Sequence, residues 1–257
     1  MLIVGWRMIA IILAGGYAKR LWPLTMDKPK PLLPIAGKPI IEYILDRLNL
    51  VGDVERIVIS TNLRFEECFR RWLNTKNYQY VEIVVDKSRC EEEKPGAVKA
   101  LAEITSNIHS DCLIIAGDNL FTTSLKGIID FYREKSSSIV ALYDVKNRDL
   151  AKHYATVLLD EEGRIIDFEE KPQQPRTTLI GTCIYIFPKR ILSRIKEYVE
   201  EGLEKDQPGR FIEWLHRRES VYGYVLDGYW WDIGTKESYI EANKFFQHHT
   251  VRDSIKC

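Results

Sequence analysis

Residues 8–25 read MIAIILAGGYAKRLWPLT. The run from Met8 to Ala14 has the length and apolar composition of a buried strand. Two glycines, Gly15 and Gly16, follow at once, and Lys19 and Arg20 come within the same short loop. Paired glycines permit positive φ and let a ligand lie against bare peptide, while two cations suit an anion. The loop is therefore expected to hold phosphate. It is neither GxxxxGKS/T nor GxGxxG, so a standard ATPase or dehydrogenase loses support.

Downstream, DKPKPLLPIAGKPII (Asp27 to Ile41) carries Lys28, Lys30 and Lys38 on a path where prolines break helix repeatedly. Leu32, Leu33 and Ile35 can anchor it. A long anchored excursion straight after a glycine loop suits a segment that wraps a ligand.

From residue 8 to about 145, apolar β-branched runs (IAIIL, RIVIS, VEIVV, CLIIA, SIVALY) alternate with helical stretches at 40–50, 63–73, 96–105 and 124–135. This predicts an α/β, doubly wound, mainly parallel sheet. After residue 150 come short strands and turns, two helices within 188–218, a strand VYGYVL, and a last helix from Thr235 to about His249. A mixed C-terminal lobe is expected within one domain, without a Pro/Gly/Ser linker. Residues 1–7 are read as an N-terminal extension, 8–249 as the folded domain and 250–257 as a tail.

Lys plus Arg number 37, as do Asp plus Glu, in 257 residues. No global field draws nucleic acid or an anionic membrane, so an anion site must be a local cluster. Five scattered cysteines (Cys68, Cys90, Cys112, Cys183, Cys257) give neither a zinc spacing nor a disulfide framework. With no stretch that reads as a membrane span, a cytoplasmic protein is expected.

Ligands of open α/β sheets bind beyond the carboxyl ends of the strands. There the sequence places Gly117-Asp118-Asn119, then Glu169-Glu170-Lys171-Pro172, then Asp232-Ile233-Gly234. Each has an ordinary reading as a cap or a solvated turn. Together, two carboxylates beside a triphosphate call for a divalent cation, and Mg²⁺ commonly uses one or two carboxylates plus phosphate oxygens. His153 and the aromatics Tyr222, Tyr224, Tyr229, Trp230 and Trp231 are read as structural.

The ordered series LAGGYAKRLWPLT, KPKPLLPIAGKPIIEYIL, AGDN, FEEKP and GYWWDIGT resembles the sugar-1-phosphate nucleotidylyltransferases from Met8 to about Lys244. The resemblance implies a Rossmann-like fold and transfer of a nucleoside monophosphate to a sugar 1-phosphate, with pyrophosphate released. It implies that Arg20 grips the triphosphate, that Lys30 steadies the reacting phosphates, and that Asp118 and Asp232 hold Mg²⁺. Lys171 would take the sugar phosphate and Glu170 the sugar hydroxyls. The backbone of Leu13, Gly15 and Gly16 would line the nucleotide. Expected substrates are dTTP or UTP and glucose 1-phosphate, and a homo-oligomer fits the family.

Departures from the family pattern bear on specificity. The family usually reads Gly-x-Gly-Thr-Arg where this chain has Gly16-Tyr17-Ala18-Lys19-Arg20. Lys99, in KPGAVKAL, stands where thymidylyl- and uridylyltransferases commonly have glutamine, and Ala155 replaces a sugar-facing glycine. A hexapeptide-repeat segment is absent, so an attached acetyl transfer is not expected. Three competing readings are a mannose-1-phosphate guanylyltransferase, a non-catalytic regulatory subunit that binds nucleotide sugars, and a glycosyltransferase. The last usually carries Asp-x-Asp where this chain has Asp118-Asn119-Leu120.

Overall fold

The computed structural model describes residues 7–254 apart from Gln79. Of the expected extension only Arg7 falls within it, and residues 255–257 of the expected tail lie outside. Strand β1 (Met8–Leu13) leads through the glycine loop to a ribbon of β2 (Pro34–Ile35) and β3 (Lys38–Pro39). Then follow α1 (Ile40–Asn49), β4 (Val54–Asn62), α2 (Glu66–Asn74), β5 (Val81–Asp86), α3 (Ala97–Thr105) and β6 (Asp111–Ala116). The second part comprises β7 (Asn119–Phe121), α4 (Leu125–Lys135), β8 (Ser138–Asp144), α5 (Arg148–Ala151), β9 (Ala155–Leu159), β10 (Ile165–Glu170) and β11 (Leu179–Phe187). It ends with α6 (Leu192–Glu200), α7 (Pro208–Leu215), β12 (Val221–Val225), β13 (Trp230–Asp232) and α8 (Lys236–Ser254).

Strand β1 is central, with parallel partners on both sides: β4 with β5 beyond it, and β6. The chain fills the β4 side first and then crosses back to β6, which creates a crevice at the carboxyl end of β1. Beyond β6 the sheet turns mixed, because β11 runs antiparallel to both β6 and β8, and β12 runs parallel to β8. The β9–β10 hairpin joins the first half of β11. The sequence-based expectation of a doubly wound, mainly parallel sheet leading into a mixed lobe is what the fold shows.

Alternation along β1 divides the core. Ala10 and Ile12 pack on one face with Ile44, Phe69 and Ile129, while Ile9 and Ile11 pack on the other with Leu101, Phe187 and Ile212. Both faces of a parallel sheet are covered by helices, which is why its strands read as continuous apolar runs. A third cluster joins Leu21 of the glycine loop and Leu33, Ile35 and Ile40 of the long excursion to Leu120, Trp231, Ile233 and Phe246. This cluster anchors the proline-rich segment. In the β2–β3 ribbon, Ala36 and Gly37 both take positive φ, 47° and 82°, as a tight hairpin turn demands.

Three details differ from the sequence-based expectation. AGDN and WWD are not only strand ends and caps: β7 and β13 pair antiparallel in a two-stranded sheet of their own, Asp232 opposite Asn119. The last helix continues past His249 to Ser254. The short helix α5 forms in a stretch too short for periodicity to register, because the Asn147 side chain accepts hydrogen bonds from the Asp149 and Leu150 amides.

Candidate functional site

A cavity of about 1080 Å³ opens along the carboxyl ends of the central strands. Leu13, Gly15, Gly16, Arg20, Lys30, Asp118, Ala155, Glu170, Lys171 and Asp232 all line it. Lys99 is not among these lining residues: it lies half-exposed on α3 with its ammonium 3.9 Å from Glu103, while Pro95, Gly96, Ala97 and Ala100 face the cavity. A helix presents only part of its circumference to one side, so a position flanked by cavity-facing residues can point away.

The glycine loop differs from its sequence reading. Neither Gly15 nor Gly16 has positive φ; the left-handed residue is Ala18, at φ 49°. Its carbonyl accepts the Thr25 hydroxyl at 2.8 Å, which ties the loop back on itself. What Gly16 contributes is open space, since a Cβ there would meet nothing within 4 Å. The Asn62 amide nitrogen donates to the Gly15 carbonyl at 2.9 Å, so strand β4 fixes the loop from below. Gly117 is required by packing. A Cβ there would lie 3.0 Å from both the Leu13 carbonyl oxygen and Pro31. Its N–H donates to Leu13 at 2.8 Å, which brings Asp118 directly beside the glycine loop.

Of the three lysines on the proline-rich excursion, Lys30 alone lines the cavity. Its Nζ lies 2.6 Å from Asp118 Oδ2, with the side chains 13% and 27% exposed. Lys38 pairs with Asp46 and Lys28 is exposed. Lys19 forms an ion pair with Glu92 at 3.1 Å across the mouth of the site. Asp232 reaches the same region from β13: the Ile233 N–H donates to the Asp118 carbonyl at 3.1 Å. A Cβ on Gly234 would lie 3.2 Å from Asp232 Oδ2 and 3.3 Å from Arg20 Nη2, so carboxylate and guanidinium flank that glycine.

Burial, and then the neighbouring Asp118, push the Asp232 carboxyl up to about 6, against the pull of Lys30, Arg20 and Lys171. Asp232 thus lies in a partly dry space within reach of a second carboxylate, Asp118. A divalent cation suits that pair. Among the described residues no group of three or more His, Cys, Asp or Glu forms a metal cage, so a cation here would take at most these two carboxylates, with substrate oxygens and water completing the shell. The Tyr154 hydroxyl, pushed up to about 12 by burial and then by Asp232, stays neutral beside them.

The far end is built from β10, β11 and α7. Burial raises the Glu170 carboxyl above the usual carboxylate range, and Lys171 and Arg210 oppose the rise. A Cβ on Gly209 would overlap the Glu170 carboxylate, so this glycine at the start of α7 makes room for it. Lys171, in left-handed conformation at φ 51°, directs its ammonium to Gln207 Oε1 at 3.4 Å and stays half-exposed. Ala155 is nearly buried between Gly181 and Gly209. Strand β11 breaks register between Gly181 and Tyr185, with Cys183 at φ 58°, and Gly181, Thr182 and Cys183 line the wall there.

Sequence reasoning missed Ser60, Asp86, Tyr154, Cys183, Gln207 and Gly209 as lining residues. Ser60 and Asp86 had a usable signal, since both close apolar strands at the carboxyl edge where ligands bind. Gln207 and Gly209 had none, as they reach the site only because α7 packs under β10.

Similarity to known proteins agrees with this geometry. The curated relative from Methanocaldococcus jannaschii, "Bifunctional protein GlmU", is 34% identical over 240 residues, covering 93% of this chain and 54% of its own. The chain thus spans about half the length of that relative. "UTP--glucose-1-phosphate uridylyltransferase AglF" of Haloferax volcanii is 28% identical, covering 95% of this chain and 99% of its own. A UDP-glucose pyrophosphorylase solved with UDP-glucose shares the fold at TM-score 0.78 and 23% identity, covering 95% of this chain and 99% of its own. The nucleotidyl transferase family pattern matches residues 9–249, and the chain belongs to that family, the sugar-1-phosphate nucleotidyltransferases.

Proposed function

We propose that this chain joins a nucleoside triphosphate to a sugar 1-phosphate, giving a nucleotide sugar and pyrophosphate. The observation that carries this reading is the convergence of Arg20, Lys30, Asp118 and Asp232 midway along a cavity with a polar, buried carboxyl at one end. A sugar-phosphate oxygen attacks the α-phosphorus, a new P–O bond forms, and the bond to the β-phosphate oxygen breaks to release pyrophosphate. Both reactants are anions, so catalysis consists of alignment and charge neutralisation and needs no protein nucleophile.

In this reading Arg20 holds the departing pyrophosphate end, and Lys30 moves between Asp118 and the charge that develops at the α-phosphate. Glu170 accepts sugar hydroxyls, and Lys171 leaves Gln207 for the sugar phosphate. Asp118 and Asp232 would hold Mg²⁺, which when bound supplies positive charge to the phosphates. For the sugar we take glucose 1-phosphate, as in the name of the Haloferax relative. For the base that name gives UTP, and the sequence reading dTTP or UTP. One observation, the carboxylate of Asp86, favours GTP instead, the guanylyltransferase reading.

Pyrophosphate release with Mg²⁺ tests the proposal, with five nucleoside triphosphates crossed against glucose 1-phosphate and mannose 1-phosphate. Release in one or two combinations, abolished by Asp118→Asn, is expected. Nucleotide-sugar binding with no release in any combination would leave the regulatory-subunit reading.

A further inference from the structure

The cavity has two ends, and on the proposed reaction the phosphates occupy the cationic middle. Buried Glu170 suits sugar hydroxyls at one end. Around the glycine loop the lining is uncharged and mostly apolar, Leu13, Ala14 and Gly15 with Pro95, Gly96 and Ala97, and a planar ring can lie against it. Asp86, the last residue of strand β5, lines the cavity beside this loop. Its Oδ1 accepts the Ser88 N–H at 2.7 Å and also the Ser88 hydroxyl. The Tyr17 hydroxyl donates to Ser88 Oγ at 3.1 Å and braces this arrangement. Oδ2 lies 3.6 Å from where a Cβ on Gly15 would stand, over the glycine loop. Among the described residues neither a hydrogen bond nor an ion pair engages Oδ2.

A fixed carboxylate only accepts hydrogen bonds. The pairing edge of uracil or thymine offers it a single N–H between two carbonyl oxygens, which repel it. Cytosine and adenine each offer one amino group next to a ring acceptor. Guanine alone presents two adjacent donors, N1–H and the 2-amino group, which can share the one free oxygen, Oδ2. We infer that Asp86 is the base-selecting residue of this site and that it selects a guanine nucleotide over uracil and thymine nucleotides. The inference rests on the nucleotidyl-transfer reading above and runs against the sequence-based expectation of dTTP or UTP. Lys99 lies outside the cavity lining, with its ammonium toward Glu103.

The test measures kcat/KM for pyrophosphate release with GTP, UTP, dTTP, CTP and ATP, using the intact chain, Asp86→Asn and Asp86→Ala. GDP and UDP affinities by calorimetry accompany it as a readout independent of turnover. Expected for the intact chain is a preference for GTP over UTP of about tenfold to a hundredfold, the size of discrimination from one two-point hydrogen-bonded contact. In Asp86→Asn the amide oxygen stays with the Ser88 N–H and an NH2 replaces Oδ2, a donor that repels the two donors of guanine and suits a uracil carbonyl, so the variant should reverse the preference in both assays. Asp86→Ala should flatten it, and circular dichroism confirms that each variant is folded. A pyrimidine preference in the intact chain overturns the inference and leaves the nucleotidyl-transfer reading standing. So does a GTP preference that Asp86→Asn leaves unchanged. If no triphosphate releases pyrophosphate and neither diphosphate binds, it is the transfer reading that fails, and the inference with it.

Discussion

The ammonium of Lys30 sits 2.6 Å from Asp118 Oδ2 although the two residues are 88 positions apart, and both side chains are mostly buried. A charge pair in such a place is strong because little water screens it, and breaking it leaves an uncompensated carboxylate. Lys30→Met should therefore lower pyrophosphate release by about 100- to 1000-fold, the range for losing one preorganised group that meets developing charge. Steady-state kinetics with a melting curve checks this. A fall below tenfold in a folded variant would remove Lys30 from the chemistry.

Glu170 gives a prediction about pH. Its folded carboxyl titrates above the ordinary value, chiefly because it is buried, so the native state holds the proton more tightly than the unfolded chain does. Stability is then fully present below the unfolded value and is lost as pH rises through the folded one. Glu170→Gln abolishes that loss. Urea midpoints between pH 4 and pH 8 should fall with pH more steeply for the native chain than for the variant, and parallel curves would count against the burial argument.

At Gly209 the question is space. A methyl group there overlaps the Glu170 carboxylate, so Gly209→Ala must displace either the carboxyl or the start of α7. Overpacking of this kind costs about 1–3 kcal/mol. The KM for sugar 1-phosphate should rise about tenfold while the KM for the triphosphate changes little, because α7 reaches only one end of the cavity. Equal rises in both would place the damage elsewhere.

Ala18 holds left-handed backbone that costs an L residue about 1–2 kcal/mol, against which glycine loses roughly 0.5–1 kcal/mol in chain entropy. Ala18→Gly should accordingly raise stability by about 0.5 kcal/mol, a Tm gain of roughly 1–2 °C. Scanning calorimetry decides the sign.

Lys99→Gln restores the residue common among thymidylyl- and uridylyltransferases. Since Lys99 lies half-exposed beside Glu103 and outside the cavity lining, the substitution should leave the relative use of the five triphosphates within about twofold. A selective gain with UTP or dTTP would mean that α3 turns when nucleotide binds.

What the sequence made legible followed from local rules. The strand runs and the helices between them carry their own periodicity, so the sheet and its crevice were readable, and residues ending those strands, Arg20's loop and Asp118 among them, fell at the edge where ligands bind. Lys99 shows the limit of motif alignment: the segment is in the right place, but which side of α3 faces inward depends on how that helix packs against α6. The glycine loop shows another. Its shape was read from Gly15 and Gly16, yet the strained position fell to Ala18, because the tie from Thr25 decides it and that contact is not a local pattern. The β7–β13 pair was hidden because its strands are three residues each, too short for periodicity to register.

That small ribbon also bears on synthesis. Asn119 and Trp230 hydrogen-bond across 111 residues, and the ribbon they belong to carries Asp118 next to one strand and Asp232 at the end of the other. A nascent chain presents β1, β4, β5 and β6 to one another long before Asp232 leaves the ribosome, but Leu21, Leu33 and Ile35 gain their anchor only when Trp231, Ile233 and Phe246 follow. Until then the crevice has half of its carboxylate pair. The last strand to pair thus brings in the second carboxylate, and the candidate site is complete only when synthesis is nearly over.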